Sequence, residues 1–480
     1  MISLKKNFPG NKISLLILLL LLVFIGVERF FIYPPKNVLT WDVFAYYLYL
    51  PAKFIYHDLD LLNNGWIDNI FSTYHPSDTF YQAFTGPKDV KVITVTVSLA
   101  MLYAPFFLLA HGYALAFGYP ADGFSMPYQY GIAIGAFIYT IVGLYFFRKV
   151  LLHFFSDKLS GLLLILTVLG TNYINQATGS NITPHNILFS LFAILVWYVI
   201  RWHEAQKIRY MVFIGLLMGM ITLIRPTEIV CILVPLLWGV YEKKSLTKKL
   251  NLINKHKYQI LLAIFCFALV IMPQLIYWKR QTGSFVFYSY TNPNEGLDLL
   301  SPHVGNFLLS FRKGWLIYTP LAFFFIIGLI PLYKNQRKVF YAVTVFFVLS
   351  LYLISSWSCW WYAGGCYSQR AMTTSYVLLA LPLGYFIKWA GKKIYLLIPF
   401  MLVLGFLVML NLFQWWQFYN GILKGYTMTK KYYCAIFGKT SIPEGAENLL
   451  MVNRSFTMNE TMPDPANFNK KILGYYDFSN

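Results

Sequence analysis

An acidic and aromatic stretch, LTWDVFAYYLYLPAKFIYHDLDLL, follows the first membrane-length apolar run of the chain. As a helix that starts near Thr40, it places Asp42 in the first turn, where the helix macrodipole favours an ionised carboxylate. An ionised aspartate held in position can accept a proton from a hydroxyl group or bind a cation. Tyr46 follows one turn later on the same face. The competing interpretation makes Asp42 an ordinary helix cap.

The periodicity of this stretch predicts an amphipathic helix that lies along the membrane surface. Its apolar face would carry Val43, Tyr47, Leu50 and Phe54, and its polar face Asp42, Tyr46, Tyr49 and Lys53. Immediately downstream, His57, Asp58 and Asp60 add a histidine and an Asp-x-Asp pair. We expect His57 to contact substrate, and the two aspartates either to hold a divalent metal ion or to cap a turn.

Arginines stand beside two further breaks in the apolar pattern. In LIRPTEIV, Pro226 ends a helix at the tip of a tight hairpin that also holds Arg225 and Glu228. Arg225 either pairs with Glu228 or offers its fork to a phosphate. In WSCWWYAGGCYSQRAM, aromatic residues and a Gly-Gly pair lead to Arg370. Bare backbone and aromatic faces suit a ligand pocket, whereas a lone arginine there would only anchor a helix at the interface.

The loop SYTNPNEGLDLLSPHVGNFLLSFRKGWLIYTP carries His303, Arg312 and Lys313. This basic group calls for an anionic partner, which is either a lipid headgroup or a lipid-linked phosphate. His111 and His185, by contrast, stand alone in their segments. We expect each of those two to be a hydrogen-bonded core or interface histidine rather than a ligand.

The elements that would position these residues are membrane-spanning helices. Apolar residues make up 58% of the 480 positions and charged residues 12%, which is typical of an integral membrane protein and excludes a soluble globular one. The net charge of +20 is scattered in short clusters between apolar runs, which excludes a nucleic-acid-binding domain. Such clusters are typical of cytoplasmic loops under the positive-inside rule.

Twelve apolar segments approach the length of a bilayer span. They lie at residues 13–33, 93–117, 128–147, 158–174, 183–200, 211–224, 227–241, 258–278, 315–333, 339–357, 372–387 and 394–414. Basic clusters at 201–209, 243–257, 334–338 and 388–393 place four loops in the cytoplasm. Twelve spans counted from a cytoplasmic N-terminus would put the tail in the cytoplasm, whereas the basic clusters place it outside. We therefore expect eleven or thirteen spans, with the discrepancy between residues 90 and 182.

The predicted fold is an all-α polytopic membrane protein. Its membrane domain would cover residues 1–414, with a first extracytoplasmic loop at 34–92 that contains surface helices. A short extracytoplasmic tail would cover residues 415–480. The same orientation places the basic loop with Arg312 and Lys313 outside, against the positive-inside trend.

An aspartate just outside the first span, on a loop with surface helices and followed by many spans, resembles the GT-C superfamily of integral membrane glycosyltransferases. The nearer resemblance is to its mannosyltransferase and aminoarabinose-transferase branch. It extends to bacterial membrane proteins with the blocks WDVFAYYLYLPA, GYPADGFSMPYQ, FRKGWLIYTP and WWYAGG…QR. In architecture it covers about the first 415 residues. The resemblance implies sugar transfer from a polyprenyl-phosphate-linked donor.

The resemblance also implies roles for individual residues. The superfamily's first-loop aspartate, a catalytic base or a metal-linked acceptor binder, corresponds to Asp42. That aspartate is usually followed by a second acidic residue, whereas this chain has Val43, so a divalent metal cofactor stays an open question. Arg370 and Arg225, the latter in an LIRP segment similar to the family's LTRP, correspond to phosphate contacts. The implied location is the bacterial inner membrane, with a multi-pass chain and a site that faces the periplasm.

The implied partners are membrane lipids, a lipid-linked sugar donor, and an acceptor that is a glycan, a lipid or a protein. Two other functions use the same kinds of residue. One is a transporter or flippase of a lipid-linked or anionic substrate, which repeated halves and midplane charges would indicate. The other is a polysaccharide polymerase or ligase, which would rely on a large late outer loop. The chain shows no repeated halves, and its ionisable residues gather at the outer interface, which favours the transferase.

Overall fold

Helices account for nearly all the regular structure of the chain. The computed structural model describes residues 12–289, 296–362 and 365–450. The first half contains α1 (Lys12–Val27), α2 (Trp41–Phe54), α3 (Asn64–Tyr74), β1 (Ala83–Thr85), β2 (Lys91–Ile93), α4 (Ser98–Phe117), α5 (Met126–Phe154), α6 (Asp157–Leu169), α7 (Tyr173–Ala177), α8 (Pro184–Ala205), α9 (Ile208–Ile224), α10 (Leu233–Leu237) and α11 (Lys243–Lys255). The two strands form an antiparallel pair.

The second half is likewise helical. It contains α12 (Lys257–Thr282), α13 (Val304–Leu309), α14 (Trp315–Tyr318), α15 (Ala322–Ile327), α16 (Leu329–Asn335), α17 (Arg337–Ser355), α18 (Tyr376–Ala390), α19 (Ile394–Tyr419) and α20 (Lys430–Ile436). A π turn at Glu28–Ile32 and 3₁₀ turns at Pro226–Ile232 and Arg370–Ser375 adjoin these helices, and a separate 3₁₀ turn lies at Ala446–Leu449.

All twelve apolar segments of the sequence contain helix, which confirms the all-α polytopic membrane fold. Within the described residues, seven helices are long and apolar enough to cross a bilayer: α1 with its π turn, α4, α5, α8, α12, α17 and α19. Shorter apolar helices, such as α9 with 17 residues, occupy the other segments. The predicted count of eleven to thirteen passes stays a prediction.

Two contacts identify the two ends of the helical bundle. The Asp157 carboxylate accepts a hydrogen bond from the Ser14 amide at 3.1 Å, so α5 ends and α6 begins beside the start of α1. His153 near the end of α5 lies 3.6 Å from the carboxylate of Glu204 near the end of α8. The basic cluster at 201–209 follows directly, and we name this end of the bundle the basic end. The other end, where α1 stops and residues 33–125 fold, is the loop end.

Helix α4 is joined at both of its ends to segments of the loop end. Just before it, the Thr96 hydroxyl donates to the carbonyl of Leu223 at 2.6 Å, where α9 finishes its course from the basic end. Within the helix, the Leu102 carbonyl accepts from Tyr139 of α5 at 3.0 Å. A Cβ on Gly131, nearer the start of α5, would instead meet Ala110 at 2.9 Å. Since α5 runs toward the basic end, the antiparallel α4 runs toward the loop end, packed along the first half of α5.

Helix α2 differs from the predicted surface helix, because its neighbours cover it on nearly every side. Tyr49, which the periodicity assigns to the polar face, is only 4% exposed. The ring of Phe44 packs against three other rings, with centroids 5.5 to 6.4 Å away, from Phe71, Phe80 and Phe124. The assignment of Tyr49 to an exposed polar face is therefore wrong, and α2 is the core helix of the first loop. Its position along the membrane surface stays a prediction.

The segment at residues 118–125 braces this loop. The Asp122 carboxylate accepts from the Tyr74 hydroxyl of α3 at 2.5 Å and from the Ser125 amide at 3.0 Å. The Tyr47 hydroxyl of α2 donates to the Gly123 carbonyl. The GYPADGFSMPYQ block thus has a structural role here, which is to hold α2 and α3 against the start of α5.

Candidate active site

Asp42 lies in the first turn of α2 with its carboxylate exposed at the loop end. Thr40 occupies the N-cap position, and no side chain caps the helix, so Asp42 is not a helix cap. The Tyr81 hydroxyl donates to Asp42 Oδ1 at 3.0 Å. The preceding residue, Trp41, has a φ of 52°, a conformation that costs a bulky side chain energy and that clusters at functional sites. The carboxylate is therefore held but accessible, as a general base must be.

Tyr46, one turn along α2, connects Asp42 with basic residues from distant parts of the chain. Burial and the charge of Asp42 raise the pKa of Tyr46 to about 12, while the positive charges of Arg225 and Arg370 oppose the shift. Such interactions require these side chains to be close to the phenol. The structure thus brings together an acidic and a basic group that are more than a hundred residues apart.

Arg225 caps the loop end of α9, directly before the Pro226–Ile232 turn. Its Nη2 atom donates to the Tyr362 hydroxyl at 3.3 Å, and its guanidinium lies 5.3 Å from the centre of that ring. Its Nη1 atom is buried without a hydrogen-bond partner in the described residues. Glu228 is buried and accepts from Thr374 at 3.5 Å; within the described ranges no ion pair of 4.0 Å or less joins it to Arg225. An unsatisfied guanidinium N–H at this place indicates an anionic ligand.

Lys313 and Arg370 complete the basic group. Lys313 Nζ donates to the Tyr362 carbonyl at 3.1 Å, and burial lowers the lysine pKa to about 8, with Arg370 lowering it and Cys366 opposing. Arg370 Nε is buried with no partner among the described side chains. Gly365 has a φ of 62°, and a Cβ there would lie 2.7 Å from Arg370 Nη1, so the glycine makes room for the arginine. We name Arg225, Lys313 and Arg370 the cation pocket.

Comparison with known proteins supports an assignment at superfamily level. Residues 109–277, about a third of the chain, match the family model of dolichyl-phosphate-mannose-protein mannosyltransferases. This match supports, over that segment, the resemblance of the chain to GT-C glycosyltransferases. The matched segment includes Arg225 but neither Asp42 nor Arg370. No curated protein sequence matches the chain.

Two solved structures of similar fold come from the archaeon Archaeoglobus fulgidus. The apo oligosaccharyltransferase is 11% identical, with a TM-score of 0.46 over 94% of this chain and 61% of that one. The oligosaccharyltransferase AglB, in complex with an inhibitory peptide and a dolichol-phosphate, is 12% identical, with a TM-score of 0.46 and the same coverage. This chain therefore spans about three fifths of the length of those enzymes.

The predicted metal residues have structural partners. The Asp58 carboxylate accepts from the amides of Leu62 and Asn63, each at 3.0 Å, and from the Trp66 indole at 3.0 Å. The described residues contain no group of three or more His, Cys, Asp or Glu side chains suited to a metal ion. The contacts of Asp58 therefore favour the turn-capping alternative, and dependence on a metal stays a prediction.

Asp60 has a comparable role. Its carboxylate accepts from Arg280 at 2.9 Å and from Gln281 at 3.0 Å, both at the end of α12. His57 lies exposed just beyond the last turn of α2, so the fourteen-residue helix separates it from Asp42. At 1.5 Å per residue, that separation is about 20 Å. The structure thus does not bring His57 to the site around Tyr46.

The remaining predicted residues hold the late outer loops. His303 Nε2 lies 3.3 Å from the Asp298 carboxylate. The Arg312 guanidinium stacks 3.6 Å from the ring centre of Trp361, and its Nε donates to the Tyr426 carbonyl at 3.0 Å. These contacts tie the loop before α14 to the aromatic segment and to the tail. Their predicted contact with substrate stays a prediction.

Sequence reasoning missed two members of the site. Tyr362 orients two cations, one through its hydroxyl and one through its carbonyl. His185, expected to be a core histidine, is buried within the electrostatic range of Arg225, Lys313 and Arg370. The aromatic and glycine-rich block around Tyr362 was a signal for a pocket, whereas nothing in the local pattern distinguishes His185 from a core histidine.

Proposed function

We propose that this GT-C glycosyltransferase moves a sugar from a polyprenyl-phosphate-linked donor to an acceptor on the extracytoplasmic face of the bacterial inner membrane. Two observations carry the proposal: Asp42, Arg225 and Arg370 lie within electrostatic range of Tyr46, and Arg225 and Lys313 both donate hydrogen bonds to Tyr362. A glycosyl transfer needs a base at the acceptor and positive charge at the leaving group. The acceptor is a glycan, a lipid or a protein.

The reaction assigns one task to each side of the site. Asp42 accepts the proton of the acceptor hydroxyl as its oxygen bonds to the anomeric carbon. The bond between that carbon and the donor phosphate breaks through an oxocarbenium-like state, and the bonding electrons leave with the phosphate. The lipid phosphate then carries one more negative charge than the donor did. The cation pocket stabilises that charge most when it develops, which lowers the barrier.

The position of the site at the loop end supports a lipid-linked donor. Nucleotide sugars are cytoplasmic, whereas a donor with a lipid tail stays in the bilayer and presents its head group at the interface. Arg225 stands where the apolar helix α9 ends, which is the depth at which such a phosphate would emerge. The basic end of the bundle, by the positive-inside rule, would be cytoplasmic.

The decisive experiment compares the parent with Asp42→Asn, reconstituted in lipid, on a panel of polyprenyl-phosphate sugars. We expect the parent to release sugar from at least one donor and the variant to lose about 10²- to 10⁴-fold in turnover, the usual contribution of a general base. Asp68→Asn, which changes another exposed carboxylate of the same loop, is the matched control and should keep full turnover.

Retained turnover in a folded Asp42→Asn protein would remove the catalytic role of Asp42. Absence of turnover by the parent with every donor would contradict the transferase itself. Thermal unfolding of both variants, measured beside the parent, establishes that lost activity is not lost structure.

A further inference from the structure

The first turn of α8 carries a buried polar group that the proposed mechanism leaves without a task. His185 is 6% exposed, and its Nδ1 atom is buried with no hydrogen-bond partner in the described part of the chain. Buried polar atoms in folded proteins nearly always have a partner. The three cations of the pocket all act electrostatically on the imidazole. A histidine with an unsatisfied nitrogen beside three cations is in the position of a ligand contact.

The backbone around His185 points to the same kind of ligand. Helix α8 has 22 residues, begins with Pro184 and has no side-chain cap. The natural capping residue, Thr183, instead donates its hydroxyl to Gln176 at 2.9 Å and to the Ser180 carbonyl at 2.7 Å. The first-turn amides of this long helix therefore receive no capping hydrogen bond from Thr183, and the macrodipole makes this end attractive to anions.

The cation pocket and the donors at the start of α8 would contribute in different ways to the binding of a phosphate. The cation pocket supplies charge, while an imidazole N–H and helix amides supply directed donors to individual phosphoryl oxygens. The 3₁₀ turn that begins with Arg370 packs against α8, and Arg370 lies within electrostatic range of His185 in the first turn of that helix. A phosphate between them could therefore contact both groups at once.

We infer that His185 and the N-terminus of α8 form a further subsite of the cation pocket, which binds oxygens of a lipid-linked phosphate. This inference rests on the proposed function for the identity of the ligand, but it assigns residues that the sequence pattern assigned to the core. His185 would be a binding residue for the donor and for the leaving lipid phosphate.

The test measures equilibrium binding rather than turnover. The protein in detergent micelles is titrated with a short-chain polyprenyl phosphate, with the uncharged polyprenol of the same chain, and with inorganic phosphate. We expect the parent to prefer the lipid phosphate over both. His185→Leu should weaken that binding about tenfold or more, the size of one lost hydrogen bond to a charged group, and leave polyprenol binding unchanged. His185→Asn, which keeps a short side-chain donor, should recover most of the affinity.

His75→Asn is the matched control, because His75 is exposed at the end of α3 and has a φ of 46°, which asparagine tolerates. It should bind like the parent. Equal binding by parent, His185→Leu and His185→Asn would overturn the subsite and leave the proposed function intact. A parent without preference for the phosphate over the alcohol would overturn the proposed function itself. If His185→Leu fails to fold, His185→Met takes its place and decides by the same criterion. Methionine has a flexible, unbranched apolar side chain without a hydrogen-bond donor.

Discussion

At the scale of single residues, Tyr362 explains how two cations are held close together. Its φ of 43° is costly for an aromatic residue. In that conformation its carbonyl accepts from Lys313 while its hydroxyl accepts from Arg225. This strained conformation therefore directs both the hydroxyl and the carbonyl of Tyr362 toward the cation pocket. Burial and repulsion by Arg370 lower the pKa of Lys313, so the charge of this lysine is sensitive to pH.

Raising the pH through about 8 is expected to weaken the binding of a polyprenyl phosphate. The pKa of Lys313 is lowered to about 8 from an ordinary value of 10.5, so the ammonium is charged below pH 8 and neutral above it. Lys313→Arg keeps its charge throughout this range and should bind with no alkaline decline between pH 7 and 9. Binding titrations of both proteins across that range check this. A flat parent profile, or a decline that persists in Lys313→Arg, would contradict the role of Lys313.

At the scale of elements, the packing of α9 against α12 sets the position of Arg225. Gly215 and Gly219 bring the two backbones together, since a Cβ on Gly215 would lie 2.3 Å from the Ala263 carbonyl and one on Gly219 2.9 Å from that of Phe267. This is the close approach that GxxxG spacing allows in membrane helices. Because Arg225 is the residue after α9, any shift of that helix moves the arginine.

Gly215→Val is therefore expected to lower both stability and phosphate binding. The added side chain has no space, and overpacking typically costs roughly 1–3 kcal/mol. Gly405→Val in α19, where a Cβ would meet nothing within 4 Å, is the matched control for the substitution itself. The midpoint of thermal unfolding in detergent should fall for Gly215→Val only. Equal midpoints for the two variants would show that the contact between α9 and α12 is not tight.

The course of α4 gives a second prediction at this scale. By length and composition α4 qualifies as a membrane span, but the strand before it contacts α12 near its loop end, and the segment after it leads into the start of α5. Thr85→Cys before the helix and Tyr119→Cys after it should therefore react with a membrane-impermeant maleimide from the same side. Lys248→Cys at the basic end should react only from the other side. All three are made in a Cys434→Ser background, and labelling of Thr85→Cys and Tyr119→Cys from opposite sides would show that α4 crosses the membrane.

At the scale of the whole molecule, the basic clusters lie at one end of the bundle, and the first loop and the tail lie at the other. The first loop is fastened to the end of α12 by the ion pair of Asp60 with Arg280, at 2.9 Å. The tail returns to the same end, because Tyr419 at the end of α19 stacks on Tyr33, just beyond α1, with centroids 4.5 Å apart. If α4 stays outside, eleven passes place the first loop and the tail on one side. That resolves the discrepancy of one pass in the sequence-based count.

The native cysteines provide a direct test of this topology. Cys434 in α20 is exposed, whereas the other four cysteines are buried. A membrane-impermeant maleimide added to right-side-out spheroplasts should therefore label the unmodified protein at one site, and Cys434→Ser should abolish the label. Labelling that requires permeabilised membranes would place the tail, and with it the site, in the cytoplasm.

The sequence determined the helical membrane fold and the chemical types of the site. Span length and hydropathy are local properties, so the apolar segments could be found window by window, and Asp42, Arg225 and Arg370 could be singled out beside them. Which residues meet was decided by tertiary structure. Asp42 and Arg370 are separated by most of the chain, and only the packing of α2, α9 and the turn before α18 brings them to Tyr46.

The same reason explains the errors. Tyr49 looked like a surface residue because periodicity records one helix and not the loop that folds over it. Asp58 and Asp60 looked like metal ligands because the sequence does not show the indole, amides and arginine that occupy their oxygens. His185 looked like a core residue because its neighbours come from three other segments. Side-chain partners depend on long-range packing, which no local pattern encodes.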